Sequence, residues 1–212
     1  MNKLLEKVEL HVKAQFIGQE GSHDWQHIDR VRRTALGLQK QEGGDPLVIE
    51  LAALLHDISD HKYNGGDFEE GQKVVLKLLS QFDCPEELAI KVAAVVSVVS
   101  FKGALVMDSP TSLEGQIVRD ADRLDAIGAI GIARAFAYGG SRNRALYLPE
   151  VQPKLHNSKE AYAQDQGHTI NHFYEKLLLL KDRMETESAQ KLANERHAFM
   201  LQFLKQFKAE WS

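Results

Sequence analysis

The chain is nearly without cysteine: Cys84 is the only one in 212 residues. An intrachain disulfide is therefore impossible, and the chain suits a reducing compartment. Long apolar runs are also missing. Residues 92–99 come nearest, Ser97 interrupts them, and no segment reads as a bilayer span. The opening MNKLLEKVELHVKAQF is amphipathic and carries Glu6 and Glu9, so it is not expected to act as a signal peptide. There is no excess of basic charge. Lys and Arg number 26 against 30 Asp and Glu, a net charge of -4. That balance gives no electrostatic ground for binding nucleic acid or an anionic membrane. Internal repeats and low-complexity tracts are absent as well. What remains is the expectation of a soluble, cytoplasmic protein.

What the chain does have is helical periodicity almost throughout. With 43% apolar and 26% charged residues, its length suits one domain with a substantial core. Leu4, Leu5, Val8, Val12 and Phe16 form an apolar stripe at three- and four-residue spacing. Gly18 and Gly21 break it. A second helix is predicted to start near Ser22 to Asp24, turn Trp25, Ile28, Val31, Ala35 and Leu38 inward, and stop at Gly43-Gly44. Asp45-Pro46 reads as an N-cap followed by proline at the first helical position, opening a third helix through His56. After a loop at Asn64-Gly65-Gly66, Asp67 and Glu70 resemble a capping box for a helix ending near Phe82. Residues 87–100 are valine-rich enough to suit a buried strand. Helix is preferred, since no second strand is there to pair with it. Thr111-x-x-Glu114 is predicted to cap the next helix, which, alone or as a broken pair, runs to Tyr138 before Gly139-Gly140. Residues 141–158 form the longest irregular stretch, of the kind often used as a lid or binding loop. Helices over about 169–184 and 186–208 close the chain. The stripe Phe199, Phe203, Phe207, Trp211 reads as core or homodimer packing.

Chemistry concentrates in a few polar residues set on apolar faces. His56 lies seven residues after Ile49 and three after Ala53, along the buried face of its helix, with Asp57 beside it. A buried imidazole next to a carboxylate needs a partner. Taken alone, the dipeptide reads as a satisfied core histidine. Asp122 changes the weighing, because it sits amid Ile117, Val118, Ala121, Leu124 and Ile127, and a carboxylate there is almost never left unpaired. A salt bridge to Arg119 or Arg123 is the bland alternative, but both side chains point around the helix rather than along its face. His27 likewise leans inward with Trp25, Ile28 and Val31, where it could also be a structural histidine bonded to a carbonyl. Two imidazoles and two carboxylates on three helices can converge as a nitrogen-oxygen site for a divalent first-row metal. Four protein ligands on an ion that prefers six leave room for water and substrate oxygen.

The order His27 … His56-Asp57 … Asp122 resembles the signature of the HD-domain superfamily of metal-dependent phosphohydrolases. The local wording is closer still. His23-Asp24-Trp25-Gln26-His27, Ala53-Leu54-Leu55-His56-Asp57, Ser100-Phe101-Lys102-Gly103 and Asp120-Ala121-Asp122-Arg123-Leu124-Asp125 are similar to one bacterial branch. That branch includes nucleoside triphosphate pyrophosphohydrolases alongside predicted hydrolases. The likeness continues through Asn171-His172-Phe173 and Arg196-His197-Ala198, so it covers nearly the whole chain. It implies an all-α bundle around a central metal, a single domain over 1–212. The metal-binding core would span about 20–140, with C-terminal helices over about 158–210 packed on it. It also implies His27, His56, Asp57 and Asp122 as ligands of one divalent ion, manganese or magnesium first, with nickel, iron or zinc as alternatives. Val98 and Val99 argue against a second metal.

Other residues are expectations of a weaker kind. Asp57, His23 and Arg30 are the catalytic candidates. His23 would be an outer-shell acid or base, or only a cap residue, and Arg30 a phosphate holder or an orienter of Asp57. Lys102, Arg142 and Arg144 are the candidates for binding substrate, with solvated surface charge as their default. The function implied is release of pyrophosphate from a (deoxy)nucleoside triphosphate. Phosphomonoesterase, cyclic-nucleotide phosphodiesterase and a non-catalytic metal- or nucleotide-binding sensor are the alternatives.

Overall fold

The computed structural model describes residues 2–17, 24–58, 68–99, 106–155 and 167–211. The structure is all-α, with nine α-helices, one 3-10 helix and no strand among the described residues. In chain order these are α1 (Asn2–Phe16), α2 (Trp25–Glu42), α3 (Pro46–Leu55), α4 (Phe68–Gln81), α5 (Glu86–Val99), α6 (Leu113–Asp125), α7 (Gly128–Ser141), α8 (Thr169–Glu175), the 3-10 helix (Leu177–Arg183) and α9 (Glu187–Trp211). They form two compact units, one of residues 1–100 and 109–122, the other of residues 101–108 and 123–212.

The first unit is organised around α3. Asp45 caps it, its side chain accepting from Leu47 and Val48 N–H groups, and Pro46 occupies the first turn. Val48, Ile49, Leu51, Ala52, Ala53, Leu54 and Leu55 are all buried. A helix apolar on every side must be enclosed, and α3 packs on α1, α2 and α5, with α4 against α5. Arg32 ties this arrangement together, donating to Glu50 of α3 (2.8 Å) and pairing with Glu9 of α1 (3.0 Å). The cap of α6 is Ser112, whose hydroxyl accepts from Gly115 N–H at 3.3 Å. The predicted box at Thr111 is therefore displaced by one residue. Glu114 bonds the Ser112 side chain and its own backbone N–H, and it also accepts from Asp45 N–H at 3.1 Å.

Of the two expectations for the stretch to Tyr138, one helix or a broken pair, the structure has the pair, with its break at residues 126–127. Gly128 opens α7 at φ +76, and a Cβ there would meet the Arg196 side chain at 2.9 Å. Both facts require glycine. Contrary to expectation, α7 runs on through Gly139-Gly140. Gly139 serves close packing, since a Cβ would lie 2.3 Å from Thr169 Oγ1. The helix predicted over 169–184 is likewise split, into α8 and the 3-10 helix. The aromatic stripe of α9 is a core element in part. Phe203 and Phe207 pack with Phe136 and Phe173, Trp211 meets Tyr147 edge-on while staying exposed, and Phe199 is exposed.

Candidate metal centre

Four donors converge within the first unit. Asp24 caps α2 by accepting from the His27 N–H (2.8 Å), which fixes the first turn that carries the His27 ring. His56 is the C-cap of α3 and Asp57 follows it in the turn. Asp122 lies in the last turn of α6. The Nε2 atoms of His27 and His56 are 3.2 Å apart. Asp57 Oδ2 is 3.4 Å from the first and 3.5 Å from the second. Asp122 Oδ1 is 3.5 Å and 3.9 Å from the same two atoms. His27, His56 and Asp57 by themselves make a group able to hold a metal ion.

The chemistry of this donor set fits a cation. His56 Nδ1 is 2.8 Å from Ala53 O, and a carbonyl only accepts, so Nδ1 carries the proton. In the neutral ring Nε2 then presents a lone pair, toward another imidazole and two carboxylates. Two carboxylates against two buried imidazoles favour a positive charge among them. The spacings of His27, His56 and Asp57 suit one ion, since bonds of roughly 2.1 Å place neighbouring ligands about 3 to 3.4 Å apart, and Asp122 stands farther out, 3.9 Å from His56 Nε2. The bond to Ala53 also fixes the His56 ring, as an outer partner does at a metal site. The imidazoles are deeply buried, while the Asp122 side chain keeps 26% exposure. Access from solvent is therefore on the Asp122 side.

Arg119 and Arg123 do turn away from Asp122. Arg119, fully buried, donates to Val98 O (3.0 Å) and Ser109 O (2.9 Å), closing the C-terminal end of α5 onto the chain before α6. Arg123, in the second unit, donates to Asp108 (2.6 Å) and to Arg183 O (2.6 Å). These anchors escaped the sequence reading, which located both arginines off the Asp122 face without a destination. Carbonyl acceptors leave no trace in residue identity.

Of the remaining candidates, His23 and Lys102 lie outside the described residues, as do the loop at 64–66 and Asp67. Arg30 stands on α2 one turn beyond His27 and is half-buried. Arg142 and Arg144 belong to the second unit, both with guanidinium groups over the Tyr138 ring at 5.5 and 5.7 Å. The irregular stretch that follows them is fastened to α8. Thr169 and Ile170 N–H groups donate to Ala145 O and Leu146 O, and Asn171 Nδ2 donates to Val151 O. His168 caps α8 through Nδ1, which accepts from Asn171 N–H, while its Nε2 donates to Val151 O.

The model of the HD domain matches residues 24–127, a span containing all four donors. The Bacillus subtilis protein YpgQ is 38% identical over 210 residues, 98% of this chain and 94% of its own length. Its crystal structure in complex with ADP superposes with a TM-score of 0.77 at 35% identity, covering 99% of this chain and 95% of that one. A protein from Lactobacillus plantarum gives a TM-score of 0.87 at 36% identity, with 100% and 98% coverage. An HD-superfamily hydrolase from Bacillus thuringiensis gives 0.77 at 41% identity, with 99% and 97% coverage.

Proposed function

The chain belongs to the HD-domain family, and on that premise we propose that it is a metal-dependent phosphohydrolase that releases pyrophosphate from a (deoxy)nucleoside triphosphate. The observation that carries this reading is the convergence of His27, His56, Asp57 and Asp122, four lone-pair donors within 3.2 to 3.9 Å of one another's imidazole nitrogens. A divalent ion held there, manganese or magnesium by preference, would activate a water and polarise a phosphoryl oxygen.

The residues of the chain do the rest. Asp57 and Asp122 supply the negative charge that balances the cation, and the rigid ends of α2, α3 and α6 hold all four donors in place. Asp122, partly exposed, marks the side on which substrate approaches. Arg30, one turn beyond His27 in the sequence, is our candidate for neutralising phosphate charge, and Lys102 of the Ser-Phe-Lys-Gly stretch is the second. His23, one turn before His27 in sequence, is the proton-transfer candidate. Phosphoryl transfer asks mainly for positioning and charge stabilisation, which this set of groups provides. The nucleotide class is supported by the ADP complex of the Bacillus subtilis relative.

Attack at the α phosphorus yields a nucleoside monophosphate and pyrophosphate in one step. Phosphorus NMR of manganese-loaded protein with a deoxynucleoside triphosphate tests this at early times. Monophosphate and pyrophosphate should appear together. Inorganic phosphate and diphosphate appearing first would overturn it, and no turnover of any nucleotide would favour the sensor.

A further inference from the structure

We propose that Arg119 is a positioning residue of the metal centre, fixing the turn of α6 from which Asp122 reaches toward the other three donors. This role rests on the metal-dependent reading above and adds to it a residue outside the ligand set. Asp122 is the donor most in need of such help. His56 and Asp57 follow one another at the end of α3, and the cap from Asp24 secures the turn of α2 that carries His27. Asp122 alone comes from α6, stands 3.9 Å from His56 Nε2, and keeps 26% of its side chain exposed.

A small rotation of α6 is enough to displace this ligand. A carboxylate lies roughly 5 Å from the axis of its helix, so turning the helix by about 10° carries it sideways by about 0.9 Å. Metal–oxygen bonds tolerate only about 0.2 Å. The rotation of α6 therefore decides whether Asp122 can join the centre.

Arg119 controls that rotation. It precedes Asp122 by one helical turn and is 1% exposed. Its Nε donates to Val98 O, in the last turn of α5, at 3.0 Å, and its Nη2 donates to Ser109 O, in the chain leading into α6, at 2.9 Å. Two carbonyls from separate segments, gripped by one planar guanidinium, fix both the direction of the side chain and the turn it grows from. Val98 O lies at a helix end, where carbonyls lack helical partners and carry the negative end of the dipole, so a cation is well met there. Nearer the start of α6, Glu114 accepts from Asp45 N–H at 3.1 Å, which ties the first turn to the start of α3. The helix is thus held at its first and middle turns, and Asp122 comes next. Packing a helix in place does not by itself call for a buried cation, since apolar side chains of similar volume often do so with no loss of stability. What a guanidinium adds is direction, and the carboxylate one turn on is the group that depends on it.

The test is manganese affinity of the full chain, measured by competition with a chromophoric chelator, with helical content followed by circular dichroism. Arg119→Lys reaches only one of the two carbonyls at a time, and its affinity should fall about tenfold, the scale for lost supporting groups at metal sites. The same change made in Asp122→Asn should weaken binding by no more than about twofold, since the ligand it would place is already impaired. Arg119→Met, similar in length but without donors, should fall further than Arg119→Lys; if it does not fold, the lysine variant and its double decide alone. Unchanged affinity in Arg119→Lys, or the same loss repeated in the Asp122→Asn background, would overturn the proposal and leave the arginine a packing role only. Manganese held by Asp122→Asn as tightly as by the parent, or not held by the parent at all, would remove the centre itself and this inference with it.

Discussion

Two buried histidines, His56 in the first unit and His168 in the second, are satisfied in opposite ways. They are 4% and 2% exposed. His168 uses both ring nitrogens on the backbone, one accepting from Asn171 N–H and the other donating to Val151 O. Its hydrogen bonding is complete within the protein, and its work is to cap α8 and fasten the strap of residues 142–155. His56 spends only Nδ1 on a carbonyl and turns Nε2 toward His27, Asp57 and Asp122. Burial alone does not separate a ligand from a structural histidine. What separates them is whether the second nitrogen meets a donor or a cluster of acceptors, since only the latter needs a cation from outside.

The largest effect should come from breaking the acceptor cluster. Asp57→Ala removes a charge that faces both imidazoles, and metal content after dialysis together with nucleotide hydrolysis should fall to background. Helical content by circular dichroism should persist, because a carboxylate kept for a cation contributes little to packing once the cation is gone. Undiminished metal content would refute the assignment. Asp122→Asn is milder: the amide oxygen still coordinates without charge, so metal affinity should drop roughly 10- to 100-fold, a loss of the size seen when a site's supporting groups are removed. Competition with a chelator measures it.

The complementary prediction concerns His168. His168→Ala removes an N-cap acceptor and a bond to Val151 O, which should cost about 1–2 kcal/mol of stability in denaturant unfolding. Metal content should not change. His168→Asn, which restores the cap, should recover part of the loss. If His168→Ala instead depleted the metal, the distinction drawn between the two histidines would be lost.

The first unit was the more legible in sequence, and the reason is physical. Its signals are local and categorical. Asp24 and Asp45 announce helix starts as capping residues, Pro46 stands where proline is tolerated, and Asp122 interrupts an apolar stripe where a carboxylate must be compensated. The second unit is shaped by contacts distant in sequence. Gly139-Gly140 reads as a helix stop, yet the helix continues because Thr169 closes onto Gly139 and rewards the missing side chain. The change from α8 to 3-10 helix after Glu175 has no residue of its own to signal it. The cap at Ser112 rather than Thr111 is a choice between two adequate hydroxyls, and Glu114 bonds both Ser112 and the N–H of Asp45, 69 residues away.

The smallest predicted effect returns to a third histidine, His172, which neither caps a helix nor faces the acceptor cluster. Burial and the charges of Lys176 and Arg144 hold its pKa at about 3, against an ordinary value of 6.5. Between those values the unfolded chain binds a proton that the folded chain refuses, so stability rises with pH across that window. Lowering the pH through 6.5 therefore removes stability, and the loss levels off only below about 3. From pH 7 to pH 5 the contribution is of order 1 kcal/mol. His172→Gln, neutral at every pH, should lose less stability than the parent over the same interval. Urea unfolding at pH 7 and pH 5 measures that difference, and because both proteins share every other titrating group, the comparison isolates the one ring. Parallel losses in parent and variant would show that His172 protonates freely in the folded protein. The environment assigned to it beside Arg144 and Lys176 would then be wrong.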